Sequence, residues 1–416
     1  MSSPRHQSRR AFCSAAFASA VTIHLRGFTQ TGPSGSPTHP NVAAIDHDRI
    51  LAAAAPLLTQ APTPITSLVA PRSPGTPHDF YSEPEDFFPV PASPAAPWTQ
   101  HRTGPTNPNA FTAHREAVYK LGVTVATLTA AFVLTTDRLY AAKAAEHLLA
   151  WFVDPATRVT PSLQFGQHIP GTPGLRFEGI LETVPLAEVA HSLRFLAISD
   201  ALAPEDLKAV RAWFSEYLQW LNDSRTGGLA RDAKDHHGSS WLFQCAAYAD
   251  AIATGFTSDD AGLAALRHRF RTATLRAQIN ALGNFPHEVS TSTPYRESLF
   301  NLDLLALACD LLSTRFEDAW QFELQDGPGM RSAIAYHYPY ILNRSAWPYP
   351  ADAAHFADLP GRRVSLLLAA RVYSRPEYAS LWTSLKPLPE TAPAELLRSF
   401  PISQPLLWVS RPKSAV

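Results

Sequence analysis

From Phe111 onward apolar residues recur at three-and-four spacing, and this period leaves few folds open to the chain. Val118, Leu121, Val125, Leu128 and Phe132 form one stripe on a helix, because at about 3.6 residues per turn such positions stack on a single face. The rhythm returns at Leu207, Val210, Phe214, Tyr217 and Leu221, after Pro204-Glu205-Asp206, whose acidic side chains suit the positive end of a helix dipole. Further helices are expected over 137–153, 178–198, 239–255, 259–281, 295–313, 328–343 and 363–373, with a shorter one over 46–58. No stretch alternates with period two, so the expected class is all-α. Helices in series bury their stripes by packing antiparallel, and a long run of such hairpins closes into an (α/α) toroid, an incomplete helical barrel.

The ends read differently from the middle. The 416 residues include 37 prolines against 19 glycines, and many of the prolines precede residue 110 or follow residue 380. Residues 1–30 resemble a twin-arginine export signal: Arg9-Arg10 head an apolar, acid-free run, so a periplasmic or secreted location is expected. Residues 31–75 read as a linker with a short helix, 76–385 as the toroid fronted by an extended proline-rich arm, and 386–416 as a proline-rich extension packed on it. A net charge of −1 and scattered arginines argue against nucleic acid as a partner. Cys13, Cys245 and Cys309 have no metal or disulfide spacing, and no segment after the signal has the roughly 20 uninterrupted apolar residues of a membrane span. No cofactor or metal is expected, and the oligomeric state is not legible.

Two segments concentrate chemistry. Asp235-His236-His237-Gly238-Ser239-Ser240-Trp241 stands just before an apolar helix, where two imidazoles and a carboxylate can move protons near neutral pH. The plainer reading makes Asp235 a helix cap and the histidines surface loop residues. The second segment runs from Asn284 to Leu302, with Thr293 as N-cap and Pro294 as first helical residue. Capping does not explain Tyr295 or Asn301 on a helix otherwise filled with Leu and Ala.

The first segment resembles the Asn-Asn-His-Gly loop of the alginate lyase superfamily. The second is similar to that family's Pro-x-Glu-Leu-x-Arg-Thr-x-Pro-Tyr-x-Tyr-Ser-Leu-Phe-Asn-Leu stretch. Ala150–Pro155, Leu163–Gly171 and Trp347–Pro350 add three weaker likenesses in the same order. The resemblance implies an (α/α) toroid and β-elimination on an anionic, uronate-containing polysaccharide. That reaction needs a neutralised carboxylate, a base for the C5 proton and an acid for the departing O4. Carried over by position, His237 takes the family histidine's role as base or relay, and His236, on the second Asn, neutralises the carboxylate. Tyr295 is the expected proton donor. The family Arg falls on Thr291 and the second Tyr on Glu297, so Arg296 or Arg176 is expected to restore the positive charge. Gln164, Arg176, Trp241, Arg296 and Asn301 are the expected sugar contacts. Two alternatives stay open: an inverting glycoside hydrolase using Asp235 and Glu297, and a non-catalytic glycan-binding descendant.

Overall fold

The computed structural model describes residues 38–411 apart from 92, 94–95, 102–105, 173, 175, 254–260 and 388–391. The expected export signal therefore lies outside the described residues. Twelve helices of eight or more residues are found among those described: α1 His47–Leu57, α2 Ala113–Thr135, α3 Arg138–Phe152, α4 Pro185–Leu196, α5 Pro204–Asp223, α6 Arg225–Asp232, α7 His236–Ile252, α8 Ala261–Arg269, α9 Pro294–Leu312, α10 Met330–Leu342, α11 Val364–Val372 and α12 Pro376–Ser384.

They form an (α/α) toroid. The inner helices run in the order α2, α4, α7, α9, α11, each packed against the next; α3, α5, α8, α10 and α12 pack outside them, α5 against α7 and α3. Burial explains the layering. Helices α7 and α9 are apolar nearly all round and bury most of their residues, whereas α5 buries only the stripe of Val210, Trp213, Phe214, Tyr217 and Leu221. Helix α2 is long and apolar enough to cross a membrane, but most of it is buried among its neighbours. It approaches α4 closely at Gly122, where a side-chain carbon would stand 2.5 Å from Pro185.

The proline-rich arm is ordered and extended. Phe87–Phe88 pairs antiparallel with Thr99–Gln100, and Tyr81 bridges to Phe165. Buried Glu83 fixes it, accepting hydrogen bonds from the Arg72 guanidinium (2.6 Å), the Tyr81 hydroxyl (2.6 Å) and the Phe111 amide (2.7 Å). At the other end, Leu406, Leu407 and Trp408 are buried, and Trp408 stacks on His191 with ring centroids 4.0 Å apart.

The segment expected to be one helix over 178–198 is a 3-10 turn, Glu178–Thr183, followed by α4, with Pro185 opening the second piece. Helix α7 starts at His236 rather than near 239, so the histidine pair sits in the first helical turn and not in the loop before it.

Candidate active site

Helix α7 begins where it does because the Asp235 side chain accepts the His237 amide at 3.1 Å, satisfying a donor that the first turn leaves unpaired. Gly238 lets that turn sit against the preceding chain: a side-chain carbon there would stand 2.2 Å from the Ala233 carbonyl oxygen. The His236 amide, also unpaired within the helix, donates to Glu288 Oε1 at 2.6 Å, and His236 Nδ1 lies 2.8 Å from Glu288 Oε2. Glu288 is completely buried and is held in turn by Asn301 Nδ2 (2.8 Å), which also reaches Gln278 Oε1 (2.9 Å). Burial works against a charge on His236. The adjacent Glu288 carboxylate, by charge and by hydrogen bond, outweighs it with help from Glu297 and Asp235, and the pKa is pushed up to about 9. The Glu288 contact thus favours the imidazolium form of His236.

His236 lines a cavity of about 270 Å³ whose wall includes Arg115, Gln167, Glu182, Arg296, Glu297 and Arg398. Glu297 Oε1 accepts from Thr293 Oγ1 at 2.8 Å, while its Oε2 is buried with no hydrogen-bond partner among the described residues. Such an atom is costly unless something else pairs with it. Arg296 is ion-paired with Glu395, and Arg115 with Glu85 at 2.9 Å. Ligand atoms of His236, Glu288 and Glu297 lie within 4.8 Å of one another, close enough to hold a metal ion, although the same His236 and Glu288 atoms already share a hydrogen bond.

The alginate lyase family profile matches residues 65–347, more than half of the chain. The chain belongs to the alginate lyase family. An alginate lyase from Bacteroides ovatus is similar in structure, with a TM-score of 0.74 and 25% identity over 86% of this chain and 94% of that one. Alginate lyase A1-III, from Sphingomonas species A1, shares the fold: the apo form of a histidine-to-alanine variant gives a TM-score of 0.51 at 15% identity, covering 91% and 97% of the two chains. A tetrasaccharide complex of that variant gives 0.50 at 14% identity, covering 92% and 98%. No curated protein matches the sequence.

Within this alginate lyase fold, His236, Arg296 and Glu297 come together at the cavity, and the other expected site residues do not line it. Tyr295 lies away from this cavity. Its side chain is buried between Trp347 and Phe356, and its hydroxyl donates to the Tyr340 carbonyl at 2.9 Å, because two residues along a helix point about 200° apart and Glu297 takes the cavity side. His237 stacks on His236 at 4.5 Å, meets Phe177 edge-on and holds Asp235 through Nδ1 at 3.0 Å. Burial opposes the Asp235 charge, but His237 holds its pKa below the usual carboxylate range, and its side chain caps α7.

Gln164 is exposed; Gln167, three residues on, is the cavity residue and donates to Glu182 at 2.7 Å. Trp241 is a core residue: its indole donates to the Leu221 carbonyl at 3.1 Å. Asn301 supports Glu288 and does not line the cavity, and Arg176 pairs with Glu178 at 2.8 Å. Thr291, at the family arginine position, is exposed. The signal for Glu288 in the sequence is its match to the Glu of the family's Pro-x-Glu pattern. Nothing in the sequence signalled Arg115 or Arg398, which reach the cavity from segments far apart in the chain.

Proposed function

We propose that this chain is a polysaccharide lyase that cleaves a uronate-containing glycan by β-elimination at the cavity around His236 and Glu297. The observation that carries the reading is the pairing of a charged His236 with a buried, unpartnered Glu297 oxygen in one cavity of an alginate lyase family member. His236, with Arg296, neutralises the uronate carboxylate and stabilises the enolate-like charge that develops as the C5 proton leaves. Glu297 occupies the position of the family's second tyrosine and takes that proton. The C5–H electrons form the C4–C5 double bond, the C4–O4 bond breaks, and the Glu297 carboxyl returns the proton to O4. One group serving both atoms must find them on the same face of the ring, an arrangement that gluco- and manno-configured uronates offer and gulo-configured ones do not.

The hydrolase reading that pairs Glu297 with Asp235 is not supported, since Asp235 does not line the cavity and caps α7. Incubation with mannuronate-rich alginate, glucuronan, guluronate-rich alginate and neutral glycans, followed by ultraviolet absorbance, tests the reading. The expected result is an absorbing, unsaturated product from a mannuronate or glucuronate polymer. New reducing ends without absorbance would make the protein a hydrolase, and binding without any product would make it a glycan-binding descendant. The arginine-headed run at 1–30 supports export, and amino-terminal sequencing of secreted material should find a mature start between about 29 and 41.

A further inference from the structure

The family profile ends at residue 347, yet Glu395, Arg398 and Ser399 line the cavity. The segment that carries them is held by buried polar groups. Glu188, on inner helix α4, accepts hydrogen bonds from the Ser403 amide (2.7 Å), the Ser403 hydroxyl (2.8 Å) and the Gln404 amide (2.9 Å). Arg363, with no exposed surface, donates to Asp303 (3.1 Å) and to the Ser399 carbonyl (3.0 Å), and its guanidinium lies 3.9 Å from the Phe400 ring centroid. Gln404 Nε2 reaches Thr127 on α2 at 2.8 Å. Breaking these buried hydrogen bonds is costly, so the segment they hold resists rearrangement.

The cations of the cavity fall into two groups by the carboxylates they hold. His236 and Arg296 flank Glu297, Arg296 through Thr293 Oγ1 at 3.4 Å. Arg115 and Arg398 share Glu116 Oε1, at 3.2 and 2.6 Å. All three guanidinium nitrogens of Arg115 face carboxylates, whereas Arg398 commits only Nη1 among the described residues. Its other donors are available to a ligand in the cavity that it lines.

We propose that the C-terminal segment is a built part of the substrate site and that Arg398 is a specificity-determining residue, binding the carboxylate of the sugar next to the one that reacts. This rests on the lyase reading above. One group neutralises the reacting uronate; the other reads its neighbour, so the site selects consecutive uronates over an isolated one. Arg398 is partly exposed and its pairing with Glu116 is of the kind that adds little to stability, so replacing it leaves the fold intact.

The test compares wild type, Arg398→Gln and Arg398→Lys on the active polyuronate, with calorimetric titration of a saturated triuronate into each. Loss of a charge-assisted hydrogen bond that acts equally on ground and transition states should raise KM about tenfold or more in Arg398→Gln while kcat stays within about twofold. Triuronate affinity should fall by the same factor, Arg398→Lys should recover part of it, and the melting temperature should not move. A KM within about twofold of wild type, or a fall in kcat accompanied by a lowered melting temperature, overturns the assignment. If wild type yields no unsaturated product, the lyase reading fails and calorimetry decides alone. Affinity lost in Arg398→Gln then sustains this carboxylate site; equal affinity, or no binding by wild type, refutes it.

Discussion

His236 owes its charge chiefly to the Glu288 carboxylate, and this gives the site a pH dependence whose sign can be worked out. Its folded pKa, pushed up to about 9, lies above the unfolded value of about 6.5. The stability it contributes is thus fully present below about pH 6.5 and is lost as pH rises through about 9. If the imidazolium neutralises substrate, kcat/KM should fall over the same alkaline limb. Glu288→Gln removes the charge responsible and should move that limb to lower pH; a limb that stays in place would mean His236 is not the group being titrated. The geometry also reverses the order of importance that the sequence implies for the two histidines. His236→Gln should lower turnover by about 100-fold or more, as for a residue acting on the reacting centre, and His237→Gln by less. Steady-state kinetics of the two variants would show the ranking, and a larger loss in His237→Gln would restore the sequence-based assignment. Tyr295→Phe removes one hydrogen bond to a carbonyl and should cost about 1 kcal/mol of stability with turnover nearly unchanged. Thermal denaturation and kinetics together check this, and an inactive but stable variant would return Tyr295 to the chemistry.

At the scale of elements, the starts of α7 and α9 set the site. The start of α9 falls where the sequence puts it and that of α7 three residues earlier, and each is fixed by a partner distant in the chain. Pro294 opens α9 as its sequence predicts, but Thr293 does not cap it: the Asp352 carboxylate accepts the Tyr295 and Arg296 amides at 2.8 and 2.9 Å, freeing the Thr293 hydroxyl to hold Glu297. The His236–Glu288 contact likewise joins residues 52 apart, which no local pattern encodes. Asp235 is the local case, and Asp235→Ala should cost about 1 kcal/mol through loss of the α7 cap. Chemical denaturation measures it, and a variant as stable as wild type would show that Glu288 alone suffices to start the helix.

Across the whole molecule, the architecture was legible because a 3.6-residue period survives in every long helix, and five hairpins with stripes to bury have few ways to close. The site was legible only where the chain itself brings residues together, as at His236 and at Arg296-Glu297. Gln167 was missed by three residues for Gln164, because the irregular loop after α3 carries no periodicity to say which side chain faces inward. Arg115 and Arg398, 283 positions apart, meet at Glu116 only after the toroid has closed. The account as a whole depends on Glu297 being the group that moves the proton in this cavity. The most direct test is the rate of unsaturated product formation by wild type and Glu297→Gln on the same polyuronate, with melting temperatures measured alongside. The prediction is a loss of about 100-fold or more at unchanged stability. A Glu297→Gln enzyme that forms the double bond at the wild-type rate would contradict it.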